Sequence, residues 1–284
     1  MNNQRKSRGI SIHTRRIISY TILIFVSLLC LFWFYILFIN ATKNNSEFGK
    51  EFTLIPSKYA IKNLKNLING TLPVMRGLFN SLFISLCTAF LCVYFSTMTA
   101  FAIHAYDFKL KKFMFTFILA IMMIPTQVTA LGFLQLIRNM GLKNSFIPLI
   151  VPAIASPITF FYIKQYMESA LPMELLEAAR IDGSGELRIF NGIALPLMKP
   201  ALAVQAIFSF VGSWNNYFTP ALILKNEKRT LPVLIAALKS SDWLNFDQGV
   251  VYMMITFSIL PVIIVYIFLA KNIVAGMTVG AVKG

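Results

Sequence analysis

Ile17–Ile39 reads IISYTILIFVSLLCLFWFYILFI, 23 residues without Asp, Glu, Lys or Arg. A run of about 20 apolar residues is what a helix needs to cross a ~30 Å hydrocarbon core. Working outward along the chain, five more stretches lack charge: 77–105, 113–137, 146–163, 201–224 and 249–270. Six transmembrane helices in an all-α membrane protein are therefore predicted. Barrel strands are excluded, because these stretches do not alternate polar and apolar residues and single strands leave backbone groups unpaired in lipid. Composition points the same way. The 284 residues are 57% hydrophobic and 13% charged, against about 25% charged in soluble domains.

The formal charge of +15 in a soluble chain would suggest nucleic acid. Here all 26 Lys and Arg lie outside the six charge-free stretches, as expected of interfacial cations, so membrane lipid and not nucleic acid is the predicted partner. Residues 1–16 carry Arg5, Lys6, Arg8, Arg15 and Arg16 with no acid, which predicts a cytoplasmic N-terminus. This basic leader resembles that of a signal peptide. Its apolar run exceeds the usual length of about 7–15 residues and no A-x-A site closes it, so it is read as a retained anchor. The expected plan is a first span at 17–39, an extracellular loop at 40–76, a core at 77–270 with the other five spans and an inner loop at 164–200, and a cytoplasmic tail at 271–284.

The spans hold no carboxylate, and His104 lies at the cytoplasmic end of the second, so a proton- or sodium-coupled carrier is disfavoured. No phosphate-binding loop is present. Cys30, Cys87 and Cys92 show no metal-ligand spacing and read as small buried thiols within apolar stretches. No catalytic residue, metal or bound cofactor is predicted, and uphill transport would need energy from another subunit. Pro125, Pro148, Pro152, Pro157, Pro220 and Pro261 interrupt the spans, accompanied by Gln127, Tyr162, Ser213, Trp214, Asn215, Asn216 and Tyr217. Two readings of these polar residues stand side by side: hydrogen bonds between helices, or a wet, aromatic-walled path for a hydroxyl-rich solute.

The inner loop from Leu171 to Pro200 reads LPMELLEAARIDGSGELRIFNGIALPLMKP. Pro172 suits a first helical turn, and Glu174 and Glu177 suit the positive end of the helix dipole. Met173, Leu176 and Ala179 form an apolar stripe with Leu175 alongside. Gly183 stands where a left-handed residue ends a helix, and a second short helix from about Glu186 to Leu195 should stop before Pro196. The loop 164–200 also holds five of the 11 acidic residues. Such an exposed pair suits insertion into a partner's groove; an acidic pair resting on anionic lipid is the less favourable alternative.

Glu177-Ala178-Ala179, three residues, Gly183, nine residues, Ile193, one residue, Leu195-Pro196 resembles the EAA signature of binding-protein-dependent ABC transporter permeases. Trp214-Asn215-Asn216-Tyr217 with Pro220 is similar to a stretch of carbohydrate-type permeases. The ending Gly276-Met277-Thr278-Val279-Gly280-Ala281-Val282-Lys283-Gly284 resembles that of the maltose-type, six-helix partner. The resemblance implies a type I ABC importer permease with both termini cytoplasmic and a cytoplasmic coupling helix. It implies a sugar or oligosaccharide importer in the bacterial plasma membrane, working by alternating access. Implied partners are a second homologous permease, giving a heterodimer, an ABC ATPase dimer that uses ATP and Mg, and an extracellular solute-binding protein. By position, Glu177 would be the charge contact with the ATPase, Ala178 and Ala179 the close-approach face and Gly183 the turn, with Ile193, Leu195 and Pro196 completing the motif. Gly280, Ala281 and Lys283 in the tail would reach toward the ATPase. A permease for another solute, such as glycerol phosphate, is the alternative, followed by an ATP-independent carrier or channel.

Overall fold

A computed structural model describes residues 12–49, 52–70, 72–240 and 247–281, and among them all regular structure is helical. In chain order the helices are α1 (Ile12–Ala41), α2 (Asn45–Phe48), α3 (Ala60–Asn69), α4 (Val74–Ala105), α5 (Lys111–Met122), α6 (Thr126–Asn139), α7 (Ile147–Ile150), α8 (Pro157–Ala170), α9 (Met173–Ile181), α10 (Glu186–Ile189), α11 (Leu195–Leu197), α12 (Lys199–Trp214), α13 (Phe218–Ile223), α14 (Leu231–Ser240) and α15 (Gln248–Ala281). Short 3₁₀ turns cover Val151–Ile154 and Asn226–Lys228, and a π-helical turn covers Phe190–Ala194.

Four stretches among the described residues are long and apolar enough to cross a membrane: His13–Ala41, Val74–Ala105, Ile147–Ala170 and Gln248–Ala270. A fifth arises if Glu186–Leu197 and Lys199–Trp214, bent by 82°, are counted as one. Of the six spans expected from the sequence, four, or five with the bent pair, meet that length and composition as helices among the described residues. The stretch 113–137 is two shorter helices, α5 and α6, because Pro125 has no N–H to continue α5 and instead caps α6 with φ −61° and ψ 128°. The stretch 201–224 is also split, into α12 and α13. Asn216 Oδ1 accepts the Thr219 backbone N–H at 3.4 Å, an amide-to-backbone bond that competes with helix continuation. Pro157 starts α8 under a Ser156 cap, whereas Pro261 lies inside α15.

Contacts divide the chain into two units. The first comprises 1–69 and 244–256. Its centre is Asn63, buried, whose Nδ2 donates to the Ala41 and Lys43 carbonyls at 2.9 and 2.8 Å. Gly249 closes on this knot: a Cβ there would lie 2.3 Å from the Lys43 carbonyl oxygen. Phe48 stacks on Tyr252 with centroids 5.3 Å apart. Cys30 on α1 is exposed, unlike Cys92 in the second unit, so the expectation of three buried thiols holds only in part.

The second unit comprises 70–243 and 257–284. It is organised on α4, against which α12 and α8 pack. The buried side of α4 presents Ser81, Ser85, Ala89, Cys92, Ser96 and Ala100. These small residues recur every three or four positions, which lets membrane helices approach closely. Cys92 Sγ donates to Thr159 Oγ1 at 3.2 Å, tying α4 to α8. At the far end of α4 a core of Ala100, Phe101, Ile103, Phe160, Ile163 and Met167 continues directly into Leu171, Leu176, Ala179, Ile189, Phe190, Ala194 and Met198 of the inner loop. The loop is therefore built as part of the helical core.

Candidate functional site

Helix α9 forms because Pro172, at φ −64° and ψ 141°, ends α8's extension and sets an N-terminus with Glu174 in its first turn. Glu177 sits a turn further in, so its expected role at the helix dipole is corrected. The apolar stripe is as predicted: Leu176 is fully buried, Ala179 nearly so, and Met173 packs partly against the same core. The outward face carries Glu174, Glu177, Ala178 and Ile181, the last 86% exposed. Ala178 thus presents itself for close approach, whereas Ala179 faces inward. Its small side chain lets α9 lie tight on the core, and the reading of Ala179 as an outward contact is corrected.

Gly183 has φ +78°, the left-handed geometry that glycine adopts cheaply. The Ser184 N–H reaches the Ala179 carbonyl and the Gly183 N–H the Arg180 carbonyl, each at 3.0 Å. This double closure satisfies the last carbonyls of α9. Across the turn Arg180 Nε donates to Glu186 Oε1 at 2.8 Å, the Tyr106 hydroxyl donates to Glu186 Oε2, and the guanidinium lies 5.3 Å from the Tyr106 ring centroid. Hydrogen bonds from Arg180 and then Tyr106 hold the Glu186 carboxyl below its ordinary range. Burial, then the bond to Glu186, raises the Tyr106 phenol, and the bond to Glu186 raises Arg180. His104 Nε2 lies 2.9 Å from the Leu171 carbonyl oxygen, pinning the loop's entry. The sequence reading missed this Tyr106–Arg180–Glu186 cluster, in which Tyr106 lies far along the chain from the other two.

The second short helix was expected to stop before Pro196. It does not. Leu195 N–H bonds back to the Phe190 carbonyl, one residue further than in an α-helix. That wider turn relieves the crowding a proline imposes on the preceding turn. The chain carries on through α11 and bends at Met198 into α12. Ile193 and Leu195 pack partly on the core and Pro196 is exposed.

The candidate path residues separate. Trp214 is buried, stacked on Phe210 with centroids 5.7 Å apart, and its Nε1 donates to the Ser258 carbonyl at 3.1 Å. Its N–H is spent within the core, so its assignment to a wet path is corrected. Asn215, Tyr217 and Tyr162 are exposed and Ser213 is half-buried. Asn216 lines a pocket of about 620 Å³ with Thr129, Ala130, Phe133, Leu134, Phe218, Thr219 and Leu222. The break between α12 and α13 and the break before α6 together open this space. The Gln127 side chain, the side chains of Gly280 and Ala281, and Lys283 lie outside the described residues, although the α15 backbone runs to Ala281.

The family described as "Binding-protein-dependent transport system inner membrane component" matches residues 93–279. The chain belongs to this family. The permease is similar to the "Arabinooligosaccharides transport system permease protein AraQ" of Bacillus subtilis (strain 168), at 36% identity over 263 residues, covering 91% of this chain and 92% of that protein. It is 31% identical over 275 residues to the "sn-glycerol-3-phosphate transport system permease protein UgpE" of Shigella flexneri serotype 5b, covering 92% and 95%. Among solved structures, the "Crystal structure of a bacterial ABC transporter involved in the import of the acidic polysaccharide alginate" superposes with a TM-score of 0.78 at 21% identity, covering 93% of this chain and 98% of that one. At that identity the match shows the fold alone. The permease is thus a multi-pass inner-membrane subunit of a binding-protein-dependent ABC importer. It is not itself catalytic, and its class works with ATPase and binding-protein partners.

Proposed function

We propose that this permease translocates a sugar or oligosaccharide, paired with a second related permease, and that α9 is the helix seated on an ATPase dimer. The observation that carries the docking half is the two-faced build of α9. Leu176 and Ala179 lock one side into the core that includes Ala100, Phe101 and Ile163, while Glu177, Ala178 and Ile181 stay outward. A push on that ledge is delivered to α4 and α8 without a flexible joint between. Gly183, Ile193, Leu195 and Pro196 then shape the ledge, and Gly280, Ala281 and Lys283 extend toward the same ATPase, which consumes ATP with magnesium.

The termini and the loop 164–200 are assigned to the cytoplasm, with 40–76 outside. The broken stretches 113–137 and 201–224 complete six crossings with the four continuous ones. Breaks next to a cavity are where membrane helices expose polar backbone usefully. The pocket walled by Asn216, Thr129, Phe133 and Phe218 offers amide and hydroxyl groups beside aromatic faces, which suits a hydroxyl-rich solute. Similarity to arabinooligosaccharide permeases supports the sugar class over glycerol phosphate.

The test is ATP-driven uptake of labelled arabinotriose by proteoliposomes holding the whole transporter with its binding protein. Glu177→Arg should abolish uptake and co-purification of the ATPase while the permease stays in the membrane. Normal uptake by that variant would overturn the docking assignment, and a wild type that takes up no saccharide, neutral or charged, would overturn the sugar assignment.

A further inference from the structure

Next to the Asn216 pocket lies a second of about 320 Å³, lined by Leu134, Ile137, Arg138, Lys143, Asn144, Leu222, Ile223 and Lys225. Leu134 and Leu222 are common to both, so the two cavities adjoin. Among the described residues, three cations border the smaller one and no carboxylate borders either. Among the described residues the ion pairs are Arg76–Glu227, Lys111–Asp107, Lys164–Glu168 and Arg180–Glu186, which leaves Arg138, Lys143 and Lys225 without an acidic partner.

The cations stand on a fixed frame. Asn144, at φ +55°, donates its N–H to the Ile223 carbonyl at 3.0 Å and accepts the Lys225 N–H on Oδ1 at 3.0 Å. Its carbonyl accepts from Lys228 Nζ at 2.8 Å. Beneath, Ile137, Ile223 and Leu224 are buried with Leu142 packed on them. Like charges gathered on a rigid concave wall repel one another and gain nothing for folding. They focus a positive field into the opening.

We infer that this cavity is a vestibule that draws an anionic saccharide, a glycoside bearing a carboxylate or phosphate, into the Asn216 pocket. The inference rests on the proposed transport function and narrows its substrate. Arg138, Lys143 and Lys225 supply the counter-charge, Asn144 holds them in register, and the neutral Asn216 pocket receives the hydroxyl-bearing part.

The complete transporter with its binding protein, in proteoliposomes, is offered three labelled probes: arabinotriose, trigalacturonate and glucose 6-phosphate. The wild type is expected to take up at least one of the two anions, and which one distinguishes carboxylate from phosphate. Arg138→Gln with Lys143→Gln and Lys225→Gln should cut that uptake about tenfold. Arabinotriose uptake, where present, should stay unchanged, and Lys143→Arg should behave as wild type. Uptake of arabinotriose with neither anion overturns the vestibule and leaves the proposed function standing. Equal loss of neutral and anionic uptake also overturns it, assigning the cations to docking of the binding protein. Uptake of no probe overturns both readings.

Discussion

Arg180 and Glu186 close the turn between α9 and α10 as a charged pair, Nε to Oε1 at 2.8 Å, and Tyr106 from the end of α4 completes the closure on the carboxylate's other oxygen. The direction of each protonation shift decides the pH response. Glu186 is lowered by its hydrogen bonds, so its contribution is present above the ordinary carboxylate range and is lost as pH falls through the lowered value. Tyr106 is raised by burial and by Glu186, so its contribution is present below the ordinary tyrosine range and is lost as pH rises through the raised value. Thermal melting of the purified permease should therefore be flat near neutrality and fall on the acid side. In Glu186→Gln the part of that acid-side fall due to this residue should vanish, and melting at neutral pH should be lower. Superimposable wild-type and variant curves would count against the closure.

Gly183→Val should lower the melting temperature and reduce ATPase co-purification, because a β-branched residue at φ +78° costs on the order of 1–2 kcal/mol. Gly183→Asn should be milder, since asparagine tolerates the left-handed region. Limited proteolysis of the loop would report the order Val, Asn, Gly.

The two faces of α9 should separate stability from docking. Leu176→Ala removes a fully buried side chain and should cost about 2–5 kcal/mol, visible as a lower melting temperature. Ile181→Ala, at an 86% exposed position, should leave melting unchanged and weaken retention of the ATPase on an affinity column. If both variants lost stability equally, α9 would have no free face.

Trp214 should behave as a core residue. Trp214→Phe keeps the stack on Phe210 and loses the bond to Ser258, at about 0.5–1.5 kcal/mol. Trp214→Ala should cost about 3–5 kcal/mol. Uptake in proteoliposomes should then follow the amount of folded protein, with KM unchanged.

Asn216→Leu should do the reverse. Its side chain lines the 620 Å³ pocket, so KM for the transported solute should rise several-fold, with a fall in stability of about 0.5–1.5 kcal/mol from the lost bond to the Thr219 N–H. An unchanged KM would remove this residue from the path.

Four spans were legible as apolar length alone, three of them continuous helices and the fourth, Ile147–Ala170, an apolar run that Pro157 divides. The interruptions were less legible. Pro125 was visible as a kink-former, yet whether a proline bends a helix or begins another depends on tertiary support that composition does not carry. Here Pro125 and Pro157 begin helices and Pro261 is absorbed. The loop motif was read almost whole, since Leu176 and Gly183 announce a stripe and a turn by local spacing. Ala179 was misplaced because alanine is equally at home on either face. Trp214 was misread for a related reason: an indole followed by two asparagines looks like a polar wall until the Ser258 carbonyl accepts its N–H. The Tyr106 contact and the cationic vestibule join segments dozens of residues apart, and no single window of sequence contains them.

The π-helical turn at Phe190–Ala194 amounts to one residue beyond what a regular helix would use. Removing one, Gly192 for instance, would tidy the hydrogen bonding yet swivel everything upstream by about 100° about the helix axis. The surplus residue is thus an angular setting, and a one-residue gap at this point would keep every side chain of the motif yet turn Glu177–Gly183 away from Ile193–Pro196 and re-aim the ledge against α12.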